Sequence, residues 1–260
     1  MTRLLPVLAI ALLLLPALPG SARAAGEAAP PPDISWSFDG PFGTFDRSAL
    51  RRGLQVYEQV CAACHSLQYL HYRDLSRPGG PEFTKEEVEA IAAAYIVEDG
   101  PDEFGDLFER AALPRDRFVS PFPNDQAARA ANGGALPPDF SLIVNARPNG
   151  ANYLYGLLTG YADAPAGMEM TDVQHYNPMM SGGLIAMAPP LVDDLVEYAD
   201  GTPANVENMA RDITQFLAWA ANPHLEERKR TGFQVLIWIA ILVGLLYFAT
   251  KRTWKSRSES

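Results

Sequence analysis

The sequence predicts a mainly α-helical domain with long ordered loops, followed by one C-terminal transmembrane helix. Several segments carry apolar residues at helical spacing, and no set of alternating strands or internal repeat is visible. Residues 232–250 contain no charged side chain. These observations define a helical body and a membrane anchor, with a Pro- and Gly-rich region at 98–201 supplying the loops.

The first 24 residues have the features of a signal peptide. Arg3 precedes a short apolar segment, residues 4–18, and Ala22-Arg23-Ala24 offers a small-x-small cleavage site. An uncleaved membrane anchor is the alternative, which the two prolines and the shortness of the apolar segment disfavour. We therefore expect residues 1–24 to be removed on export.

The C-terminal apolar run, assigned here to residues 231–250, has the length of a membrane span. At about 1.5 Å per residue, the charge-free part covers about 28 Å, close to the hydrocarbon thickness of a bilayer. A helix buried in a globular core is the alternative, but this segment is apolar on every face. Basic residues after the run favour a cytoplasmic tail, residues 251–260, and a basic cluster at 228–230 opposes that orientation. The signal peptide decides for a periplasmic body.

The body of the chain, residues 25–227, is acidic. It carries 12 basic and 30 acidic residues, a balance of −18. Such a charge argues against nucleic acid as a partner and favours a basic protein. Nine of the acidic residues lie between 86 and 109, where no basic residue occurs. This stretch is either a solvated surface or a steering surface for a basic protein partner.

Cys61, Cys64 and His65 form C-x-x-C-H, the attachment pattern of a c-type haem. They include the only two cysteines, which an exported protein could otherwise pair in a disulfide. A zinc site would need further ligands, and neither a second C-x-x-C nor an H-x-x-x-H pair is present. A thioredoxin-like pair would need a βαβ context. The motif therefore predicts one covalent haem c with His65 as an iron ligand.

The helix that carries this motif is predicted to begin with Asp46 as its N-cap. Leu50, Leu54, Tyr57 and Cys61 then share one face at helical spacing. This helix delivers the motif to the edge of a porphyrin.

Two more helices follow from caps and periodicity. One is predicted over 84–97, where Thr84 and Glu87 form a capping box. The other is predicted to start at Thr202 with Pro203 in the first helical position, and to stop before Pro223. A shorter apolar segment, residues 152–161, is the one periodic run between them.

The second axial ligand is open at this point. His71, His175, His224 and six methionines beyond the signal segment are candidates. Met187 differs from the others because Pro189 and Pro190 fix the backbone after it, and a weak thioether ligand needs a rigid loop. The alternative is that the two prolines only end an element of structure.

Several longer segments carry a family resemblance that covers almost the whole mature chain. They are "WSFDGPFGTFD" (36–46), "VCAACHSLQYLHYRDL" (60–75), "PFPNDQAARAANGGALPPDFSLIVNAR" (121–147), "LLTGY" (157–161), "AMAPPL" (186–191), "DGTPA" (200–204) and "FLAWAANPHLEERKRTGF" (216–233). With these segments the chain resembles the bacterial members of the cytochrome c1 family, the haem subunits of the ubiquinol–cytochrome c reductase (bc1) complex. It departs from the family's Arg-Pro-Gly pattern after Arg110, where "AALPRDRF" follows.

The resemblance implies the residues of the haem site. It gives axial ligation by His65 and Met187, and it places Asn132, Arg147 and Tyr153 near the haem propionates. It also places a backbone carbonyl of the Pro137-Pro138 loop, assigned to Pro138, beside the free ring N–H of His65. Such an acceptor fixes the tautomer of the axial histidine.

The resemblance also implies the function. In the family, one electron at a time passes from the Rieske iron–sulfur protein through the haem to a soluble or membrane-bound cytochrome c. Cytochrome b is a further partner, and the complex is a dimer in the inner membrane with the haem domain on the periplasmic side. The chain would be a redox subunit with no substrate-converting site of its own.

Two other functions remain as alternatives. A free-standing membrane-anchored c-type cytochrome would have the same haem but no quinol-oxidising partners. A haem peroxidase-like enzyme would need an open or labile sixth coordination position, and ligation by Met187 argues against it.

Overall fold

In a computed structural model of the chain, the described part covers residues 28–258. The predicted signal peptide, residues 1–24, lies outside the described residues. The prediction of a mainly helical fold is confirmed. The α-helices of the described part are α1 (Arg47–Val56), α2 (Lys85–Ala93), α3 (Asp125–Ala131), α4 (Gly150–Thr159), α5 (Val206–Ala221) and α6 (Leu225–Ser258).

Shorter elements connect these helices. A π-helical turn, Tyr57–Cys61, continues α1, and a 3₁₀ turn covers Tyr72–Ser76. Two antiparallel hairpins, which the sequence did not predict, complete the regular structure of the described part. They are β1 (Ile96–Asp99) with β2 (Phe108–Ala111), and β3 (His175–Tyr176) with β4 (Leu184–Ile185).

Helix α1 begins where the sequence predicts. The Asp46 carboxylate accepts hydrogen bonds from the backbone N–H of Ser48 at 3.0 Å and of Ala49 at 3.2 Å. These bonds satisfy two of the amides that a helix leaves unpaired at its start. The predicted inner face is buried, with Leu50, Leu54 and Tyr57 in the core.

Helix α5 crosses α1 at very close range around Gly53. A Cβ atom at this position would lie 2.3 Å from the carbonyl oxygen of Asp212 and 2.6 Å from Cβ of Phe216. No side chain fits there, so glycine allows the two backbones to meet. Next to it, Arg52 makes a two-pronged ion pair with the buried Asp212, at 2.7 and 3.0 Å. Helix α5 therefore fixes the position of the helix that leads into C-x-x-C-H.

The start of α2 is confirmed and its end is not. Thr84 Oγ1 accepts from the Glu87 N–H at 3.2 Å, and Glu87 Oε2 accepts from the Thr84 N–H at 2.7 Å, as a capping box requires. The helix ends at Ala93, however, and the predicted continuation to residue 97 is wrong. Ile96 and Val97 lie in β1, opposite Ala111 and Arg110 of β2.

Arg110 supplies the physical reason for this hairpin. Its guanidinium donates to Asp99 on the neighbouring strand at 2.5 Å and to both carboxylate oxygens of Asp116 at 2.5 and 3.0 Å. These ion pairs join β2 to β1 and to the following loop. The loop after Arg110, where the sequence departs from the family pattern, is thus held by Asp116.

Helix α5 starts three residues later than predicted. The N-cap is Asn205, whose side-chain oxygen accepts from the Asn208 N–H at 2.8 Å, rather than Thr202. The Thr202 N–H instead bonds to Asp200 at 3.0 Å in a preceding turn. The predicted end before Pro223 is confirmed, and Ile213, Phe216, Leu217 and Ala220, which recur at helical spacing, are buried.

Helix α6 is the predicted apolar C-terminal helix. A 31-residue part of it, Leu225–Lys255, is long and apolar enough to cross a membrane, and no residue of its most apolar window is buried within the described chain. The predicted span, residues 231–250, lies inside this helix. The fold is therefore a helical body followed by one long apolar helix.

Candidate haem centre

The backbone closes tightly around the C-x-x-C-H motif. The Cys61 carbonyl accepts from the Cys64 N–H at 3.1 Å and from the His65 N–H at 2.9 Å. Cys61 is half-buried and Cys64 is exposed, and both thiols are free. The turn thus presents two unpaired sulfurs and one imidazole from a single rigid segment, which is the donor set that covalent haem attachment needs.

The surroundings of the two sulfurs do not favour another metal. Burial, aided by the nearby Cys64, raises the pKa of the Cys61 thiol to about 12. A neutral thiol is a poor zinc ligand because zinc binds the thiolate. Within residues 28–258, no group of three or more His, Cys, Asp and Glu side chains comes together as a metal site.

His65 is held in one tautomer by the loop predicted to contact it. Its Nδ1 lies 2.8 Å from the carbonyl oxygen of Pro138, and a carbonyl can only accept, so Nδ1 carries the proton. The lone pair of Nε2 is then available to a metal. Burial lowers the pKa of His65, against the opposing effects of the Pro138 carbonyl and the Asp139 charge. The neutral imidazole that an iron ligand must be is therefore favoured.

The loop 138–141 is itself fixed to the segment after the motif. Asp139 accepts from the Ser66 hydroxyl at 2.7 Å and from the Gln68 N–H at 2.9 Å. Burial acts to raise the pKa of Asp139, but hydrogen bonds from Ser141, Gln68 and Ser66 outweigh it and lower the pKa. A second contact joins the Phe140 N–H to the Ser66 carbonyl at 2.8 Å.

Aromatic and phenolic contacts complete the histidine side. The Phe140 ring stacks on the His65 imidazole with centroids 3.9 Å apart and planes 14° apart. The Tyr57 hydroxyl donates to the His65 carbonyl at 3.0 Å. The backbone and the ring of His65 are thus both restrained.

Met187 lies on a different part of the chain, two residues beyond β4. The Tyr161 hydroxyl donates to the Met187 carbonyl at 3.0 Å. Because Tyr161 lies two residues after the end of α4, this bond links the Met187 loop to that helix. Met187 is half-buried, and Pro189 and Pro190 follow it. No hydrogen bond in the described part of the chain joins Met187 to the His65 segment directly.

Three further predicted residues carry polar groups with spare capacity. Tyr153, on α4, donates its hydroxyl only to the Met180 sulfur, at 3.3 Å, which is a weak acceptor. Arg147 is exposed, donates to its neighbour Ala146 at 3.2 Å, and has no carboxylate partner among residues 28–258. Both groups could bind an acidic ligand.

Asn132 caps the end of α3. Its side-chain nitrogen donates to the Ala128 carbonyl at 2.8 Å. One amide hydrogen remains for another acceptor. The described hydrogen bonds connect neither Asn132 nor Arg147 to the C-x-x-C-H segment, so a shared ligand would have to join them.

Four of the other candidate axial ligands have the following contacts and positions in the described part of the chain. His224 contacts Arg77 at 2.6 Å and Glu227 at 3.0 Å. Met209 is fully buried in α5 and completes its apolar face. His71 begins the 3₁₀ turn, and His175 pairs with Ile185 in the β3–β4 hairpin.

Sequence reasoning missed three residues of this site. Tyr57 was placed on a buried face, Tyr161 appeared only at the end of an apolar run, and Phe140 was part of a longer matching segment. The contacts of Phe140 and Tyr161 join residues 75 and 26 positions apart, which no local pattern reveals. The one feature of the sequence that could have indicated these three residues is that each of them is aromatic.

The donor set as a whole fits a covalently attached haem c. Two free sulfurs and an imidazole with its proton on Nδ1 match the attachment turn and one axial ligand. An arginine without a carboxylate partner and a tyrosine hydroxyl on a weak acceptor match the acidic edge of such a ligand.

Comparison with known proteins agrees with this reading. Residues 36–257 match the model of the Cytochrome C1 family. The chain is 46% identical over 252 residues to "Cytochrome b/c1" of Bradyrhizobium diazoefficiens, a match covering 90% of this chain and 37% of that protein. It is 50% identical over 225 residues to "Cytochrome c1 1, heme protein, mitochondrial" of Arabidopsis thaliana, covering 86% and 71%. It is 49% identical over 224 residues to the "Cytochrome c1, heme protein, mitochondrial" of Saccharomyces cerevisiae, covering 86% and 72%.

Proposed function

The chain belongs to the cytochrome c1 family, and from that premise we propose that it is the bacterial electron-transfer subunit of a quinol–cytochrome c reductase complex. It receives one electron at a time from a Rieske iron–sulfur protein and passes it to a soluble or membrane-bound cytochrome c. Cytochrome b and a second copy of the complex are the further partners. The chain transfers electrons and has no substrate-converting site of its own.

One observation supports this proposal most directly. The Nδ1 of His65, inside C-x-x-C-H, lies 2.8 Å from the Pro138 carbonyl and leaves Nε2 free. A hydrogen-bonded Nδ1–H both orients the ring and increases the basicity of the ligating nitrogen. This is the arrangement that a permanent axial histidine needs.

We assign the two axial positions to His65 and Met187. When bound, the haem supplies an iron that takes up or gives away one electron, and a methionine ligand raises its potential above that of a bis-histidine site. Tyr161 holds the backbone of Met187, and Pro189 and Pro190 limit the freedom of the chain after it. With a side chain at each axial position, no site is left for a reactant.

Arg147, Asn132 and Tyr153 are assigned to the propionates. A guanidinium can meet a carboxylate with two parallel hydrogen bonds, and Arg147 has no carboxylate partner among residues 28–258. Neutralising a propionate favours the reduced iron, because it removes nearby negative charge. These residues would therefore tune the potential as well as hold the group.

The chain is assigned four parts. Residues 1–24 are the signal peptide, 25–227 the periplasmic haem domain, 231–250 the membrane span and 251–260 the cytoplasmic tail. Among the described residues, α6 is the one helix apolar enough to cross a membrane, which supports this order, and its basic C-terminal end supports the cytoplasmic side. The protein then resides in the inner membrane.

An acidic surface is assigned to the recognition of the basic electron acceptor. Of the nine acidic residues between 86 and 109, Asp99 pairs with Arg110 and Glu87 pairs weakly with Arg51. The other seven are exposed and form no ion pair with the described residues; they are Glu86, Glu89, Glu98, Asp102, Glu103, Asp106 and Glu109. The exposed Phe104 ring lies among them. Unpaired charge around an apolar contact suits a fast and transient encounter.

The axial assignment is tested by Met187→Leu. We expect loss of the low-spin spectrum of a methionine-ligated haem. The midpoint potential should fall on the order of 0.1 V or more, within the roughly 0.8 V over which axial ligands set haem potentials. The matched control is Met170→Leu, at an exposed methionine, which should leave the spectrum unchanged. An unaltered spectrum in Met187→Leu would transfer the ligand to another residue.

The docking assignment is tested by salt. Surface charges are screened beyond about 10 Å at 0.1 M ionic strength, so the rate of cytochrome c reduction should fall steeply as salt is added. Replacing Asp102 and Glu103 by their amides should lower the rate at low salt and flatten this dependence. A rate that does not change between low and high salt contradicts the assignment.

A further inference from the structure

A turn near the start of the haem domain is fastened to the first turns of α6. Residues 37–44, called the aromatic turn here, are closed by a hydrogen bond from the Thr44 N–H to the Ser37 carbonyl at 3.0 Å. The ammonium of Lys229 donates to the carbonyl oxygens of Phe38 at 2.6 Å and Gly43 at 3.0 Å. The turn therefore wraps the helix immediately before its apolar part.

A second set of contacts fixes the same junction. Glu226, in the first turn of α6, accepts from the Phe45 N–H at 2.8 Å and from two nitrogens of Arg47 at 2.7 and 2.8 Å. Burial acts to raise the pKa of Glu226, but these hydrogen bonds and charges lower it, so the carboxylate stays ionised at neutral pH. The position of the aromatic turn along α6 is thus well defined.

The tip of the turn carries an exposed aromatic ring. The Phe42 side chain is 76% exposed, and its ring meets that of Phe233 edge to face, with centroids 5.8 Å apart. Phe233 belongs to α6 and is itself 52% exposed. Together the two rings form an apolar contact that stays exposed on the described chain.

The depth of this aromatic pair follows from the helix. Residues 232–250 contain no charge, and at about 1.5 Å per residue they just span the hydrocarbon layer. Phe233 is the second residue of that run, so it must lie at the outer edge of the layer. Phe42 touches Phe233 and therefore lies at the same level.

We propose that the aromatic turn is a membrane contact of the haem domain, with the Phe42 ring seated in the interfacial layer of the bilayer that α6 crosses. Phenylalanine is among the side chains that interfacial segments bury at the boundary between headgroups and acyl chains. Exposed Arg228 and Arg230 lie five and three residues before Phe233, on the outer side of the apolar run, and attract anionic lipid headgroups. The exposed Asp39 carboxylate, which accepts from the Trp36 N–H at 2.8 Å, is the one acidic group of the turn.

The test places a nitroxide on Phe42→Cys in the purified, haem-loaded complex. The complex is reconstituted in vesicles of phosphatidylcholine and phosphatidylglycerol, and the haem is reduced so that its iron is diamagnetic. The matched control is Phe104→Cys, at an exposed phenylalanine of the β1–β2 hairpin. An unchanged absorption spectrum of the reduced haem shows that each variant is folded.

Collision of the label with oxygen, which concentrates in lipid, is compared with collision with a water-soluble nickel complex. We expect the oxygen-to-nickel ratio at position 42 to be several-fold higher than at position 104. Equal ratios at the two positions place the turn in water and overturn the proposal. Shielding of position 42 from both probes means that another protein surface covers it, which also overturns the proposal.

Discussion

The histidine side and the methionine side of the candidate haem centre each contain the same kind of hydrogen bond, but the residues around that bond differ. A tyrosine hydroxyl donates to the backbone carbonyl of each proposed ligand residue, Tyr57 to His65 and Tyr161 to Met187, both at 3.0 Å. On the histidine side, ring stacking, a backbone acceptor for the imidazole and the Asp139 contacts surround that bond. On the methionine side, the bond from Tyr161 is the single described side-chain hydrogen bond to the Met187 backbone.

This difference follows from the bonds that each side must support. A histidine next to two covalent attachment points stays in place even if one contact is lost. A thioether is a weak ligand, and its geometry depends on the loop that presents it. The methionine side is therefore where a small change in the protein has the larger effect on the iron.

The pair of tyrosines allows a direct test, with the largest expected effect. In Tyr161→Phe, the Met187 carbonyl loses its partner and the ligand loop loosens. We expect the reduced protein to bind carbon monoxide and the methionine–iron absorption band to weaken. Tyr57→Phe should leave both properties unchanged, although it loses about 1–3 kcal/mol of unfolding free energy for an unsatisfied buried carbonyl. Equal changes in carbon monoxide binding for the two variants would contradict the comparison.

Acid should weaken the histidine side through Asp139. Its pKa lies below the ordinary value, so its ionised form adds stability above the unfolded-state pKa of about 3.9. That stability is lost as the pH falls through the lower native pKa. The free energy of unfolding of the parent protein should therefore drop more steeply below about pH 4 than that of Asp139→Asn.

The same variant has a cost at neutral pH. An amide oxygen accepts less strongly than a carboxylate, so Asp139→Asn should lose about 1–3 kcal/mol of unfolding free energy at pH 7. Chemical denaturation followed by circular dichroism at several pH values measures both effects. Parallel pH profiles for parent and variant would show that Asp139 does not supply the acid sensitivity.

The smallest effect is expected at the start of α1. Asp46→Ala removes the N-cap and should lower the free energy of unfolding by about 1 kcal/mol. Because the cap lies fifteen residues before Cys61, the haem spectrum should not change. Asp46→Asn, which keeps a capping oxygen, is the matched control and should recover most of the loss. A spectral change in Asp46→Ala would mean that the geometry of the C-x-x-C-H turn depends on the start of α1 and not only on the hydrogen bonds within the turn.

The sequence was most informative where the causes are local. Asp46 and the Thr84 capping box act within three residues of themselves, and both were correct. The C-x-x-C-H motif is equally local. The end of α5 could be read from Pro223 because proline cannot continue a helix.

The errors concern structure that distant residues create. The β1–β2 hairpin depends on Arg110 reaching Asp99 and Asp116, so periodicity alone extended α2 too far. Thr202 is a good capping residue by type, but Asp200 takes its N–H and the helix begins at Asn205 instead. The partner of His65 lies 73 residues away, and only a family resemblance could suggest it.

The junction between body and anchor sets a condition on the partners of this protein. Only three residues separate α5 from α6, and the ties of Glu226 and Lys229 leave no flexible tether there. The electron carrier is thus mounted at a constant height and tilt above the lipid. A donor or acceptor that lies beyond electron-tunnelling distance must therefore move towards the haem domain, because this domain is fixed relative to its membrane helix.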